Sequence, residues 1–146
     1  MKIIVDADGC PREALNICFC LGEKFEVSVL TVSSFEHQID SPNHITVGNS
    51  PEEADIKISN IARPSDIAVT QDWGLASILL GNNVRCLTPA GKVLTEKNIA
   101  TLLEIRNLKS RIRRGGGRTK GPKKRSEEDN NRFSQALENL LTKTGN

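Results

Sequence analysis

The sequence has few aromatic residues, no tyrosine and no long apolar run, and these absences exclude several kinds of protein. Its 146 residues include one tryptophan and four phenylalanines. The first apolar run, residues 3–5, is short and is followed at once by an aspartate. Such a run is too short for the core of a signal peptide or for a membrane span. We therefore expect a cytoplasmic protein that has no contact with a membrane.

The four cysteines also lack the spacing of a metal site. Cys10, Cys18, Cys20 and Cys86 contain no C-x-x-C pair, so neither a zinc site nor a disulfide framework is expected. Packed, reduced thiols are the simpler interpretation. The glycines form no nucleotide-binding loop, because the triple glycine at residues 115–117 does not follow a strand and lacks the Lys-Ser/Thr pair of a P-loop.

Positive and negative charges are divided unevenly along the chain, although the net charge is only +2. Residues 1–105 contain 8 Lys/Arg and 14 Asp/Glu, whereas residues 106–146 contain 12 and 4. An acidic body is therefore followed by a basic tail. The chain length and the 37% of hydrophobic residues fit one domain with a substantial core.

Short β-branched runs alternate with segments of helical periodicity, which is typical of an α/β fold with a parallel sheet. We predict a three-layer sandwich with a mainly parallel five-stranded sheet, C-terminal helices and a basic Gly-rich segment. The predicted strands are residues 1–5, 25–32, 44–47, 66–70 and 84–87. The predicted helices are residues 12–21, ended by Gly22, and residues 51–61, 73–80, 96–112 and 126–141. The last helix should pack back on the body.

Aspartates follow two of the predicted strands at the point where each strand ends. Asp6 and Asp8 follow the first strand, and Asp72 follows the fourth. If these strands are neighbours, the carboxylates converge at one edge of the sheet, where α/β proteins bind their ligands. At about 5 Å and an effective dielectric constant of about 20, each pair repels by roughly 3 kcal/mol. Such a cluster normally needs a cation or a shared proton.

The other aspartates are placed less favourably, and aspartates also have a structural use at strand ends, where they cap helices. Asp66 begins its strand and therefore lies at the opposite edge of the sheet. Asp55 lies inside the predicted helix 51–61 and joins the others only if this helix leans over the crevice. Several carboxylates at one edge favour a ligand site over capping alone.

Several motifs together resemble one known family. They are VDADGCP at residues 5–11, AD at residues 54–55, DIAVTQD at residues 66–72, and a later Arg/Gly-rich stretch with Gly-Pro at residues 121–122. With these motifs the chain resembles the YaiI/YqxD family of bacterial proteins over nearly its whole length. The resemblance implies a PIN-like, NYN-related nuclease fold, in which aspartates bind Mg²⁺ or Mn²⁺ for phosphodiester hydrolysis. It also implies one PIN-like domain over residues 1–146, divided into an α/β body (1–105) and a basic linker with a C-terminal helix (106–146).

The resemblance assigns the acidic site residue by residue. Asp6, Asp8, Asp55 and Asp72 match the catalytic positions. Asp6, Asp8 and Asp72 are the expected ligands of Mg²⁺ or Mn²⁺. Gly9 stands where the family often has alanine, and Trp-Gly at residues 73–74 replaces a more usual Ile-Pro. Neither change removes a carboxylate.

Polar groups beside the aspartates are candidates for binding phosphate. Thr70 and Gln71 precede Asp72 and can donate hydrogen bonds to a phosphate or to a metal-bound water. The backbone amides around Gly9 and Cys10 lie near the start of the first helix, where anions bind.

The basic tail predicts a nucleic-acid partner, with RNA favoured. Ten cations and no acid occur in residues 106–125, and such a density suits a phosphate backbone that is bound without reading the bases. The candidate nucleic-acid-binding residues are Arg111, Arg113, Arg114, Arg118 and Lys120. The alternative interpretation is a solvated tail, or a contact with the acidic body of the same or another subunit.

Three functions remain open on the sequence. The first is a nuclease dependent on Mg²⁺ or Mn²⁺ that acts on RNA or structured nucleic acid. The second is a phosphatase, because strand-Asp-x-Asp-Gly also resembles the first motif of haloacid-dehalogenase phosphatases, with Asp6 as nucleophile and Asp8 as general acid. Against it, Cys10 replaces the usual threonine. The third is a non-catalytic RNA-binding module.

Overall fold

The computed structural model describes residues 1–34, 41, 43–48, 50–116 and 124–143. Within these ranges the chain forms six strands and five α-helices. The strands are β1 (Lys2–Asp6), β2 (Ser28–Ser34), β3 (His44–Val47), β4 (Ile67–Val69), β5 (Arg85–Leu87) and β6 (Val93–Leu94). The helices are α1 (Arg12–Lys24), α2 (Pro51–Ile61), α3 (Trp73–Gly81), α4 (Glu96–Arg114) and α5 (Glu127–Lys143). Of these helices, none combines the length and the apolar character that a membrane span needs.

All strands form one sheet in the order β3-β2-β1-β4-β5-β6. The first five are parallel, and β6 pairs antiparallel with β5. The α/β class and the mainly parallel sheet are confirmed, whereas the predicted number of five strands was wrong. Strand β6 is only two residues long, too short to show a periodicity, and it forms through a hairpin turn at Gly91, whose φ of +92° favours glycine.

Helices cover both faces of the sheet, because successive side chains of a strand point to opposite faces. Ile3 and Val5 of β1 lie in a core with α1 and α5. Ile4 lies in a second core with α2, α3 and α4. The prediction that the last helix packs back on the body is confirmed, since Phe133 and Leu137 of α5 are fully buried against α1 and the sheet.

Two predicted boundaries near the first helix were wrong. Helix α1 continues through Gly22 to Lys24, because the glycine is needed for close packing and not as a stop. A Cβ on Gly22 would lie 2.5 Å from Cγ2 of Val29. Strand β2 begins at Ser28 and not at residue 25, because the left-handed backbone of Glu26 (φ +56°) interrupts the extended chain. The β2 strand then extends to Ser34, where it pairs with β3.

Strand β1 lies between β2 and β4, and this position decides where a ligand can bind. The chain moves from β1 to β2 and β3 on one side, and β4 and β5 occupy the other side. Ligands of open α/β sheets bind at such a switch point, outside the carboxyl ends of the strands. The condition on which convergence of the carboxylates depended is met, since the first and fourth strands are neighbours. Asp6 and the Thr70 to Asp72 segment therefore leave the sheet side by side.

Candidate active site

One threonine connects the two aspartates at the switch point. The Thr70 hydroxyl donates a hydrogen bond to Oδ2 of Asp6 at 2.9 Å and accepts one from the backbone amide of Asp72 at 3.0 Å. Oδ1 of Asp72 in turn accepts a hydrogen bond from the Leu75 amide at 3.0 Å and caps helix α3. Asp72 therefore caps helix α3 through Oδ1 and is joined to Asp6 through its backbone amide and Thr70.

Asp55 joins this pair from helix α2, so the helix does lean toward the crevice. Burial raises the pKa of Asp55 to about 7, with further contributions from the charge of Asp72, from a hydrogen bond between the two carboxyl groups, and from the charge of Asp6. A hydrogen bond between two carboxyl groups requires a proton on one of them. Asp6, Asp55 and Asp72, from here on the acidic trio, therefore form an electrostatically coupled group that is short of positive charge.

Asp6 shows the same shortage of positive charge. Burial raises its pKa; the hydrogen bond from Thr70 lowers it, and the charges of Asp8 and Asp72 raise it again. The net direction is upward. Asp6 is therefore held by a neutral donor and surrounded by like charges, which favours binding of a cation or a proton.

The structure anchors Asp8 to another strand. Its two carboxylate oxygens accept hydrogen bonds from the Ser34 amide at 2.9 and 3.2 Å, and the Ser34 hydroxyl lies 3.3 Å from Oδ1. Asp8 is close enough to raise the pKa of Asp6. It therefore contributes charge to the site while its side chain is bonded to the end of β2.

The oxygen atoms of the acidic trio have the donor chemistry that Mg²⁺ and Mn²⁺ prefer. Across the described parts of the chain, no three His, Cys, Asp or Glu side chains lie in a ready-made coordination geometry. The feature that fits a cation here is the position of Asp6, Asp55 and Asp72 at one edge of the sheet, where burial and then the charges of neighbouring aspartates raise the pKa of Asp6 and Asp55.

Three of the predicted phosphate-binding groups are used within the protein, and the first is the Thr70 hydroxyl, which donates to Asp6. The side-chain amide of Gln71 donates a hydrogen bond to the carbonyl oxygen of Gly9 at 2.8 Å. The amide of Cys10 donates to the carbonyl oxygen of Ala7 in the short 3-10 turn at Ala7–Gly9. The bond from Gln71 joins the turn after β1 to the segment after β4, and the bond from Cys10 closes the turn itself. Burial raises the pKa of the Cys10 thiol to about 12, so this thiol stays protonated.

A cleft of about 570 Å³ opens beside the aspartates, and helix α4 forms its other side. The residues that line it are Asp6, Gly9, Gln71, Asp72 and Trp73 from the body, and Ile105, Arg106, Lys109 and Arg113 from α4. We refer to this space as the acidic cleft and to Arg106, Lys109 and Arg113 as the cleft cations. Negative and positive groups therefore face one another across an open space.

The cleft cations occupy one face of α4, because residues three, four and seven apart lie on the same side of a helix. The same face begins with Ile99, Leu102 and Leu103, which pack against the core on that side of the sheet. The side of α4 that faces the protein is thus apolar over the body and basic beside the acidic cleft. Among the described residues, neither Arg106 nor Lys109 forms an ion pair.

Comparison with known proteins identifies the family. The family model described as "Uncharacterized BCR, YaiI/YqxD family" matches residues 4–143. The chain belongs to the YaiI/YqxD family. The resemblance seen in the sequence motifs is therefore confirmed.

Relatives in this family match the chain over nearly its full length. A UPF0178 protein of Heliobacterium modesticaldum is 55% identical over 141 residues, which cover 97% of both chains. A UPF0178 protein of Alkaliphilus metalliredigens is 41% identical over 98% of this chain and 93% of the relative. One from Myxococcus xanthus is 37% identical over 98% and 95%. No solved structure matches the chain.

Two of the cleft cations in this YaiI/YqxD member were not among the predicted binding residues. Arg106 and Lys109 belong to the charge run, and their spacing from Arg113 along a predicted helix could have identified them. Arg111 and Arg114 are exposed and do not line the acidic cleft. Arg118 and Lys120 lie outside the described residues.

Proposed function

We propose that this chain is a nuclease dependent on Mg²⁺ or Mn²⁺ that hydrolyses phosphodiester bonds in RNA or structured nucleic acid, on a PIN-like fold. The observation that carries the proposal is the acidic cleft, in which aspartates at the switch point of the sheet face the cleft cations of α4. A phosphodiester is an anion that must be neutralised and brought to an acidic site. One wall of the cleft suits the phosphate, and the other suits a cation.

The cleft cations bind the phosphate in this proposal. Arginine and lysine donate charge-assisted hydrogen bonds to phosphate oxygens, and arginine does so with two parallel donors. The cations lie opposite Asp6 and Asp72, so a phosphate held by α4 is positioned over the acidic wall. Such binding does not depend on base sequence and weakens as salt rises.

Asp6 and Asp72, which line the acidic cleft, would hold the cation, and Asp8 and Asp55 would add negative charge from beside it. When bound, Mg²⁺ or Mn²⁺ lowers the pKa of a water and offsets charge on the phosphate oxygens. The protein's own contribution is to position these groups. Thr70 fixes Oδ2 of Asp6, and the cap bond to Leu75 fixes Oδ1 of Asp72.

The anchoring of Asp8 favours the nuclease over the phosphatase alternative. A general acid in that mechanism must donate a proton to the leaving group beside the nucleophile Asp6. In this structure both Asp8 oxygens instead accept hydrogen bonds from Ser34. The cytoplasmic location that the sequence predicts is compatible with an RNA substrate.

One assay separates the three functions left open by the sequence. End-labelled RNA and p-nitrophenyl phosphate are each incubated with purified protein in Mn²⁺ or in EDTA. The same reactions are run with Asp6→Asn, Asp72→Asn and the control Glu128→Gln. Glu128 is an exposed carboxylate on α5 that does not line the acidic cleft.

We expect RNA cleavage in Mn²⁺ with wild-type protein and Glu128→Gln, and its loss in EDTA and in both aspartate variants. A contaminating nuclease would survive the aspartate substitutions. Turnover of p-nitrophenyl phosphate that requires Asp6 would establish the phosphatase instead. Salt-sensitive RNA binding without turnover of either substrate would leave the binding module.

A further inference from the structure

A second cleft, of about 480 Å³, adjoins the acidic cleft. The two spaces share Gln71 and Trp73 in their linings. A strand of nucleic acid whose phosphate lies in the acidic cleft therefore has a cavity within reach of its neighbouring groups. The two linings differ in chemistry, and this difference indicates which group each one takes.

The second cleft has apolar walls and nearly balanced charge. Pro11, Trp73, Pro89 and Leu102 supply apolar surface. Its charged residues are Lys92, Arg125 and Asp129. Asp129 is already bonded, since its carboxylate accepts hydrogen bonds from the Ser126 amide at 2.9 Å and from Arg132 at 3.1 Å. A flat, mostly apolar group with polar edges fits this lining better than a phosphate does.

Arg125 supplies an unused hydrogen-bond donor beside the second cleft. Its Nη1 donates to the carbonyl oxygen of Pro89 at 2.7 Å, and its Nε donates to Oδ1 of Asn130 at 2.6 Å. These two bonds hold the guanidinium in place. Its Nη2 is buried and has no hydrogen-bond partner among the described residues. Buried donors are nearly always paired in folded proteins, so an acceptor on a ligand would complete this group.

We propose that the second cleft is a nucleobase subsite, which receives one unpaired base of the strand whose phosphate lies in the acidic cleft. The base stacks on Trp73 and offers an acceptor to Nη2 of Arg125. This inference rests on the proposed function for the identity of the strand, and it adds a substrate class. A base held in a duplex cannot enter such a cleft, so the subsite selects single-stranded or looped nucleic acid.

Binding in EDTA tests the subsite without any cleavage. The probes are an adenosine oligoribonucleotide and a chain of equal length made of abasic ribose phosphate units. Both carry the same charge, so the cleft cations attract them equally. Trp73 is the only tryptophan and the chain has no tyrosine. Its fluorescence therefore reports on the junction of the two clefts, and the abasic chain measures the part of the change that comes from binding in the acidic cleft. Free tryptophan corrects for light absorbed by the bases.

We expect the oligonucleotide to quench Trp73 fluorescence and to bind about tenfold more tightly than the abasic chain, a difference typical of one stacked base. Labelled probes measure the variants. Trp73→Ala and Arg125→Gln should each reduce the base-dependent difference, and Trp73→Phe should retain most of it. Ile78→Ala, an exposed apolar residue of the same helix, and Arg111→Gln, an exposed arginine of α4, are the controls.

Equal affinity for the two probes, with unchanged fluorescence, would overturn the subsite. A base-dependent difference that survives Trp73→Ala in folded protein would do the same. The result is independent of the nuclease proposal. Base-dependent binding in a protein that cleaves no RNA would support the subsite and reject the nuclease. Cleavage of RNA by a protein that ignores the bases would do the reverse.

Discussion

Strand β4 has an aspartate beyond each of its ends, and the two are held in opposite ways. At the amino end, Asp66 is buried and accepts hydrogen bonds from the Lys2 side chain at 2.7 Å, the Lys2 amide at 3.0 Å and the Arg63 amide at 2.8 Å. At the carboxyl end, Asp72 lies beside Asp55 and Asp6, and its charge raises the pKa of both.

The pKa values of Asp66 and of two neighbours of Asp72 show the same difference. Burial alone would raise the pKa of Asp66, but the hydrogen bonds and the charge of Lys2, together with the Arg63 amide, lower it below its ordinary value. The pKa values of Asp6 and Asp55 are raised instead. A carboxylate whose charge is neutralised by its own protein stabilises the fold. One whose charge is left uncompensated is available to a ligand, and costs stability until the ligand binds.

The largest expected effect is on catalysis, through Asp6→Asn. We expect cleavage of RNA in Mn²⁺ to fall at least about 100-fold, because the substitution removes a charge needed in the transition state. The thermal midpoint in EDTA should stay equal or rise, since one repulsive charge is gone. Single-turnover cleavage and thermal unfolding measure the two effects. A variant that loses stability and activity together would contradict the assignment of Asp6 to the uncompensated group.

The second largest expected effect is a loss of stability without a loss of activity, and it comes from Asp66 at the amino end of β4. Asp66→Asn should lower the free energy of unfolding by about 2 kcal/mol, because it breaks a largely buried pair whose Lys2 partner keeps some solvent. Cleavage per folded molecule should be unchanged. Urea unfolding followed by circular dichroism gives the stability. Full stability of this variant would show that Asp66 is not the compensated partner described here.

A third test extends the comparison to the cations. Arg106→Glu should weaken RNA binding about tenfold and reduce its salt dependence, because it places a negative charge in the acidic cleft. Arg111→Glu makes the same charge change on the same helix outside the cleft, and should weaken binding by only about twofold through the long-range field. Fluorescence anisotropy at several salt concentrations measures both. Equal losses would mean that α4 acts through net charge and not through the cleft.

The smallest effect is a pair of opposite pH dependences of stability in EDTA. The pKa of Asp55 is raised in the folded protein. Its contribution to the free energy of unfolding is therefore present below about pH 4 and is lost as pH rises toward 7. We expect a loss of about 1 kcal/mol after screening by solvent. The pKa of Asp66 is lowered, so its contribution is present above about pH 4 and is lost as pH falls below that value.

Two substitutions distinguish these two pH dependences of stability. Asp55→Asn should remove the decline between pH 4 and 7, and Asp66→Asn should remove part of the loss in acid. Urea midpoints measured between about pH 4 and 7 test the first expectation, and midpoints measured below about pH 4 test the second. A decline that persists in Asp55→Asn protein would assign it to another group.

The spacing of apolar residues along the chain predicted much of the fold, because buried parallel strands and amphipathic helices each have a characteristic spacing. The apolar runs before Asp6 and Asp72 identified β1 and β4, and their ends identified the acidic edge. Strand β6 could not be predicted, since two residues show no period and the pairing depends on the hairpin at Gly91. The continuation of α1 through Gly22 could not be predicted either, because it depends on close packing against Val29 of β2.

The candidate site was predictable in its residue types and less so in its geometry. The sequence alone indicated that Asp6 and Asp72 lie at one edge of the sheet. It did not indicate that Asp8 is bonded to Ser34, since that contact depends on how far β2 extends. The role of Arg106 depended on where helix α4 is packed.

The sequence by itself determined the elements, their buried faces, the acidic body and the basic tail, because periodicity and charge belong to the chain whatever its fold. Only the tertiary structure decided which charges meet. The packing of α4 through its apolar first half directs its basic second half toward the acidic cleft, and the pairing of β1 with β4 brings Asp6 beside Asp72. Electrostatic interaction depends on distance in space. Residues that are far apart in the chain come close together only when the sheet and helices pack.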